Sequence, residues 1–227
     1  MASEVKKIIA YLILALVFFI LYGSVAIESE VEIEITKEIL VASLIFNFII
    51  LFFSALTVAF LLYGNVFQAL YFRKEKILQS ILFSILLTIS FIIISSLIIS
   101  LLGYKEESPL GKEIAENVDY FLLFLIPLLS SVSEETFFRG LIFMHLKNKI
   151  GVLPSMFITS ILFAFAHLSY GTLLQIILPF AYSFVLCFLI YKFENIYAPI
   201  ASHFFNNFLV LCCVAQFYNI EILGTIV

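Results

Sequence analysis

A chain of 227 residues in which 63% of the residues are hydrophobic and only 12% are charged is too apolar for a soluble globular protein. This composition indicates a polytopic membrane protein whose surroundings are membrane lipid. The net charge of -4 and the lack of a basic arm argue against nucleic acid as a partner.

Seven apolar runs are each long enough to cross a ~30 Å hydrocarbon core as a helix. They cover residues 8–27, 39–63, 77–103, 120–146, 152–170, 172–192 and 197–218. Polar residues inside such runs turn away from lipid towards a partner or a cavity. The chain is therefore predicted to be all-α: a polytopic transmembrane helix bundle of about seven spans with a buried polar site. We expect one integral membrane domain over residues 1–227.

The first run has two interpretations. Two lysines, an apolar stretch and the small residues at 24–26 resemble a signal peptide with its cleavage site. The stretch from Ile8 to Tyr22 is at the long end for such a segment, so a retained transmembrane helix is favoured.

The first loop is acidic, and between Glu28 and Glu38 its glutamates alternate with Val31, Ile33 and Ile35. A period of two is typical of an extended chain. A short extended piece on the outer surface is therefore predicted.

Lysine and arginine residues divide unequally between the two sets of alternate loops. One set carries eight and the other three. The eight are Lys6, Lys7, Arg73, Lys74, Lys76, Lys147, Lys149 and Lys192, and the three are Lys37, Lys105 and Lys112. The positive-inside rule then predicts a cytoplasmic N-terminus and a C-terminus outside.

The fourth run contains three charged residues within six positions: Glu134, Glu135 and Arg139. A charge at bilayer depth costs ~3 kcal/mol or more, so these residues indicate a functional site. Glu135 and Arg139 are four apart and are predicted to pair on one helix face. Glu134 lies about 100° away around the helix, which leaves its carboxylate without a helical partner. The alternative is a structural ion-pair cluster that ties helices together.

Two later runs also carry polar residues. His167 lies in the fifth run, whereas His203 and Asn207 are four apart in the seventh and share a helix face. A carboxylate base, an imidazole and hydrogen-bond donors are the groups that activate water and stabilise an oxyanion. The third histidine, His145, is predicted to be interfacial.

The depths of these residues can be compared along the chain. The fourth and fifth runs form a hairpin, and Glu134 and His167 lie at similar distances from its turn. In upright helices, His203 would lie roughly 15 Å from the level of His167. Tilt of the sixth helix, or a break near Pro179, would close that gap.

The three motifs together resemble those of the CPBP group of intramembrane proteases. That group includes the type II CAAX prenyl endopeptidases and the bacteriocin-immunity or lysostaphin-resistance-like proteins. Its EExxxR motif corresponds to Glu134, Glu135 and Arg139, its FxxxH motif to Phe163 and His167, and its HxxxN motif to His203 and Asn207. The resemblance covers a motif-bearing core of about residues 120–210. Each motif alone is weak evidence, whereas the ordered set in three hydrophobic runs is specific.

The resemblance implies an intramembrane endopeptidase, with CAAX-type processing of prenylated C-termini as the expected activity. A peptide or a prenylated protein is the implied substrate. Glu134 and His167 would then activate the hydrolytic water, and His203 and Asn207 would stabilise the oxyanion. The ion pair of the EExxxR motif would be structural support for these residues.

Glu134, His167 and His203 would also supply three ligands for a catalytic zinc with one open position. The sequence has no HExxH motif, which favours a metal-independent glutamate mechanism. Zn²⁺ therefore stays an alternative cofactor rather than an expected one.

Two functions of other classes stay open. One is a non-proteolytic membrane scaffold or bacteriocin-immunity factor that keeps the motifs for folding. The other is a small transporter that uses the buried charges as an ion relay. Transporters are marked by inverted repeats or paired broken helices, and the sequence carries no sign of either.

Overall fold

The computed structural model describes residues 2–26, 35–106 and 109–217, and within these ranges the regular structure is entirely helical. Seven helical segments of this part of the chain are long and apolar enough to span a membrane, which confirms the predicted architecture. They are Ser3–Gly23, Lys37–Tyr63, Ile77–Leu101, Tyr120–Ile150, Val152–Tyr170, Leu174–Phe193 and Tyr197–Gln216.

Eleven α-helices are described, and several of them join end to end within one span. In the N-terminal half they are α1 Ala2–Ala26, α2 Lys37–Phe48, α3 Ser54–Tyr63, α4 Val66–Ala69, α5 Ile77–Leu101 and α6 Pro109–Glu116. The C-terminal half contains α7 Tyr120–Glu134, α8 Met144–Ile150, α9 Val152–Phe165, α10 Leu174–Phe193 and α11 Tyr197–Phe217.

Two spans contain π-helical segments that the sequence periodicity does not predict. Ile49–Phe53 joins α2 to α3, and Glu135–Phe143 joins α7 to α8. Such segments are rare and occur frequently at functional sites. The second π-helix begins directly after Glu134, and all of its residues are buried. The polar motif of the fourth span is therefore built on a locally widened helix.

The second and fourth spans are linked where they begin. The Asp119 side chain accepts a hydrogen bond from the Leu122 N–H at 2.9 Å and so caps α7. Its other oxygen accepts a hydrogen bond from the Lys37 ammonium at 2.6 Å. Together these two donors, led by the ammonium, hold the pKa of Asp119 below its ordinary value. Lys37, one of the three cations in the acidic set of loops, is thus paired with Asp119.

The first helix packs as a member of the bundle. Ala10 and Val17 are buried in a core that α1 shares with α3 and the second π-helix. The Tyr22 hydroxyl donates to the carbonyl of Leu162 on α9 at 2.8 Å. α1 thus packs against three other elements of the bundle.

The acidic first loop is described only in part. Residues 27–34, which include most of the predicted extended piece, lie outside the described residues. Thr36 caps α2, which begins at Lys37, so Glu38 is helical and the extended prediction is wrong at that position.

The sixth span, α10, continues through Pro179 without a break. It packs against α9 and against α11. A buried cluster of hydroxyls fixes α11 where the third motif begins: Ser202 Oγ lies 2.6 Å from Thr88 Oγ1 of α5 and 2.7 Å from the Tyr182 hydroxyl of α10. The residue after Ser202 is His203, so this cluster positions the third motif.

Candidate active site

Glu135 and Arg139 form an ion pair inside the bundle, where neither side chain is exposed to solvent. Arg139 Nη1 donates to Glu135 Oε1 at 3.0 Å, and Nη2 donates to Ser183 Oγ on α10 at 2.9 Å. The guanidinium carbon also lies 4.1 Å from the ring centroid of Phe163 on α9. One arginine thus connects the fourth, fifth and sixth spans.

His203 adds the seventh span to this group. Its Nδ1 lies 2.7 Å from Glu135 Oε1, and since a carboxylate paired with arginine is an acceptor, Nδ1 carries the donated proton. Its Nε2 lies 3.0 Å from Asn207 Nδ2 and accepts from that amide. Both nitrogens of the buried ring are therefore engaged. Asn207 is partly exposed and reaches Ser130 Oγ on α7 at 3.4 Å.

His167 lies just beyond the end of α9. Its Nδ1 is 2.8 Å from the carbonyl of Phe163, an oxygen that can only accept, so Nδ1 is the protonated nitrogen. Its Nε2 has no hydrogen-bond partner among the described residues and keeps a free lone pair. The ring is partly exposed, in contrast to His203.

The ring of Phe163 lies between the two histidines. Its centroid is 4.8 Å from that of His167 and 5.8 Å from that of His203. Both histidines therefore reach the same level of the bundle, although upright helices would separate them. No break of α10 at Pro179 is needed for this.

Glu134 is the last residue of α7 and lies at the edge of this cluster. Its side chain is partly exposed and accepts no hydrogen bond within the described ranges, although His203 and Arg139 are near enough to act on it electrostatically. Tyr170 is near enough to act on it as well, and its ring stacks on His167 at 6.0 Å between centroids. The predicted site residues thus lie in one cluster, in which the Glu134 carboxylate and the His167 Nε2 have no hydrogen-bond partner among the described residues.

The residues present do not form the three-ligand zinc site. Over the described part of the chain, no three His, Cys, Asp or Glu side chains have an arrangement that could hold a metal ion. His203 could bind a metal only by giving up its bond to Glu135 or to Asn207.

Residues 116–209 match the family model described as type II CAAX prenyl endopeptidase Rce1-like. The matched region contains all three motifs and begins on α6. Over these residues the chain is similar to the Rce1-like family. No curated protein and no solved structure matches the chain. At the level of the family, the Rce1-like match indicates an intramembrane CAAX-type endopeptidase and confirms the resemblance drawn from the motifs.

Three contacts within or next to the matched region are not predicted by the motifs. Ser183 binds Arg139, Ser130 approaches Asn207, and Tyr170 stacks on His167. Serines in apolar helices are common and carry no spacing signal. Tyr170 does carry a sequence signal, because it follows His167 by three residues and could therefore lie next to it on a helical turn.

A fourth missed contact holds the loop that follows the third span. The Glu106 carboxylate accepts hydrogen bonds from the backbone N–H groups of Leu173 and Leu174, both at 2.9 Å. Leu174 is the first residue of the sixth span and Leu173 precedes it, shortly after His167 and Tyr170. The loop after α5 is thereby attached to the segment that carries the fifth-span histidine.

Proposed function

We propose that this chain is an intramembrane endopeptidase that hydrolyses a peptide bond of prenylated, CAAX-type C-termini with water activated by Glu134. The observation that carries the proposal is the contrast between the two adjacent glutamates. Glu135 is buried and engaged by Arg139 and His203, whereas Glu134 is partly exposed and free of hydrogen bonds within the described residues.

Glu134 is suited to act as the general base. It takes a proton from water, the resulting hydroxide attacks the carbonyl carbon of the scissile bond, and the C–N bond then breaks as the protonated Glu134 returns the proton to the leaving amine. The neighbouring Glu135 is less suited to this role, because its side chain is fully buried and its Oε1 accepts hydrogen bonds from Arg139 and His203.

His167 is suited to orient the same water. Its Nδ1–H is held by the carbonyl of Phe163, which fixes the tautomer and leaves Nε2 as an acceptor. Water bound between Nε2 and the Glu134 carboxylate would have one O–H directed at each of them. This arrangement would leave an oxygen lone pair directed at the substrate.

Asn207 is the better donor to the developing oxyanion. Of the HxxxN pair, it is the partly exposed residue. One of its two amide hydrogens is donated to His203, and the other makes only a long contact of 3.4 Å with Ser130 Oγ. His203 has no free nitrogen and acts as a positioning residue for Asn207. This division of roles refines the family expectation, in which both side chains contact the oxyanion.

The test is cleavage of a synthetic farnesylated CAAX peptide by the purified protein, with the same peptide lacking the prenyl group as control. The wild-type protein should cleave the farnesylated peptide, and Glu134→Gln should reduce the rate by ~10²-fold or more because the base is lost. The matched control is Glu75→Gln, which changes an exposed glutamate outside the site and should retain full activity.

Each remaining outcome identifies a different error. Equal cleavage of both peptides would contradict the prenyl requirement but leave the protease intact. Near-normal turnover by Glu134→Gln would contradict the choice of base. No cleavage of either peptide, together with a cellular phenotype that Glu134→Gln preserves, would establish the scaffold or immunity function instead.

A further inference from the structure

A polar cavity lies at one end of the bundle, away from the candidate active site. It has a volume of about 190 Å³ and is formed by the chain between α3 and α5 and by the second half of the fourth span. Its lining includes the side chains of Asn65, Gln68, Asn148 and Tyr71. These amides and the phenol can donate several hydrogen bonds to a ligand with many oxygens.

An apolar cavity of about 240 Å³ lies beside it, between α1, α3, α8 and α9. Leu14, Phe18, Leu62, Ile158 and Leu162 are among the residues that line it. A cavity of this kind between membrane helices is suited to a hydrocarbon chain, which gains apolar contacts there.

His145 and Leu141 line both cavities. The His145 ring is held in place by a hydrogen bond between its Nδ1 and the Tyr63 hydroxyl, and it packs edge-on against Tyr11. The two cavities therefore adjoin at one oriented side chain, with a polar chamber on one side and an apolar chamber on the other. This is the division expected for an amphiphilic ligand.

Three cations lie against the tyrosines of this region. Lys149 Nζ is 3.2 Å from the hydroxyl of Tyr11, which lines the apolar cavity. Over the ring of Tyr71, which lines the polar cavity, the Arg73 guanidinium and the Lys147 ammonium lie 4.4 and 5.9 Å from the centroid. Neither cavity is lined by an acidic residue. Arg73 is itself paired with Glu194 at 2.9 Å. Lys147 and Lys149 form no ion pair among the described residues, and their charge favours an anionic ligand.

We infer that the paired cavities bind one anionic phospholipid, with its headgroup in the polar cavity near Lys147 and Lys149 and one acyl chain in the apolar cavity. The end of the bundle that carries these lysines is also the one with the larger number of cations, and such ends face leaflets that contain anionic lipid. The inference does not depend on the proposed proteolysis, because it concerns lipid binding alone.

A prenylated peptide is the less suitable occupant. Neither cavity is lined by Glu134, His167, His203 or Asn207. Such a peptide also ends in an anionic carboxylate, so the separation of the cavities from these four residues is what argues against it.

The experiment measures lipid binding by the purified protein in detergent, with native mass spectrometry and thermal unfolding as readouts. The probes are dioleoylphosphatidylglycerol, dioleoylphosphatidylcholine and inorganic phosphate. We expect a retained one-to-one phosphatidylglycerol adduct and a Tm higher by roughly 3–5 °C at about ten times its Kd. Phosphatidylcholine should bind at least tenfold more weakly, and phosphate alone should leave the Tm unchanged.

Two variants separate the headgroup from the chain. Lys147→Gln with Lys149→Gln should bring phosphatidylglycerol binding down to the level of phosphatidylcholine. Ile158→Trp fills the apolar cavity from a position that is 39% exposed, and it should weaken both lipids. The control is Lys192→Gln, a cation held over the ring of Phe83 at 4.2 Å, and this variant should bind as the wild type does.

Several results would overturn the inference. They are equal binding of the two lipids by the wild type, stabilisation by inorganic phosphate alone, and phosphatidylglycerol binding that survives both the double lysine variant and Ile158→Trp. Displacement of phosphatidylglycerol by a farnesylated peptide in the wild type but not in Ile158→Trp would assign the apolar cavity to substrate and would also overturn it.

Discussion

A single oxygen atom, Oε1 of Glu135, accepts hydrogen bonds from both Arg139 and His203, whereas Oε2 of the same carboxylate has no partner among the described residues. The buried Glu135 carboxylate therefore depends on only these two donors. If either donor is removed, a carboxylate stays in the protein interior with half of its compensation lost, and such losses are costly because the surroundings cannot supply solvation.

Arg139→Ala should destabilise the protein by ~3–5 kcal/mol, because Glu135 would remain buried without its counter-ion. Ser183→Ala, which removes one hydrogen bond to the same guanidinium, should cost only ~1.5–3 kcal/mol. Thermal unfolding in detergent and the yield of folded protein provide the comparison.

The double variant Glu135→Gln with Arg139→Met should be more stable than Arg139→Ala. A folded Arg139→Ala protein that binds substrate but does not cleave it would instead make Arg139 a catalytic residue.

Asn207→Ala should lower kcat by ~10²–10³-fold with little change in KM, because an oxyanion donor acts in the transition state. Asn207→Asp should be at least as impaired, since its charge repels the oxyanion. Steady-state kinetics with a farnesylated peptide measures both effects. Ser130→Ala removes only a long contact to Asn207 and is the control, which should retain most of its activity. Full activity of Asn207→Ala would exclude this residue as the donor.

At the scale of elements, the π-helix at 135–143 depends on close packing against a loop. A Cβ atom on Gly140 would lie 3.2 Å from the carbonyl oxygen of Leu70, so a larger residue would require the loop to move away by a few tenths of an ångström. The next residue of that loop, Tyr71, accepts a hydrogen bond from the backbone N–H of Ile196 at 2.8 Å. The loop thus joins the fourth span to the beginning of the seventh, which carries the HxxxN motif.

The cap of the sixth span should make stability depend on pH. Two backbone N–H groups, that of Leu174 foremost, hold the pKa of Glu106 below its ordinary value of 4.5. A lowered carboxyl pKa contributes stability above the ordinary value, and that stability is lost as the pH falls through the folded-state pKa. Glu106→Gln should therefore lower the Tm at about pH 7, where the wild-type carboxylate is ionised, and the difference should shrink at about pH 3.

Thermal unfolding of both proteins at the two pH values checks this prediction. Glu113→Gln, an exposed acid on α6, is the matched control and should leave the Tm unchanged at either pH. A Tm difference for Glu106→Gln that is constant across the range would show that the cap acts through packing and not through its charge.

At the scale of the whole molecule, the distribution of cations predicts the orientation in the membrane. The bundle end near residues 73–76 and 147–149 should be cytoplasmic, because it carries most of the lysine and arginine residues. In a background in which the three native cysteines are replaced by serine, Lys112→Cys should react with an impermeant maleimide on intact cells. Lys74→Cys should react only after permeabilisation.

The reverse labelling pattern would contradict the predicted orientation. The experiment also identifies the compartment next to the end of α9, where His167 lies, because the loop after α5 reaches that end through Glu106. That compartment is the nearer source of water for the free His167 nitrogen.

The sequence alone was sufficient to predict the seven spans and the pairing of Glu135 with Arg139. Both depend on local regularities: apolar length matched to the bilayer, and a four-residue spacing that puts two side chains on one helix face. The freedom of Glu134 was predicted for the same reason. The match of residues 116–209 to the Rce1-like family rests on the same ordered motifs.

The tertiary structure decided the rest. The engagement of both His203 nitrogens, the convergence of the two histidines on Phe163 and the Glu106 cap all join residues that are far apart in the chain. The π-helix after Glu134 is local in sequence, but it packs closely against Leu70 in the loop between the second and third spans. Periodicity reports which face of a helix is apolar and not which neighbour lies against it, so contacts between helices emerge only when the helices are packed.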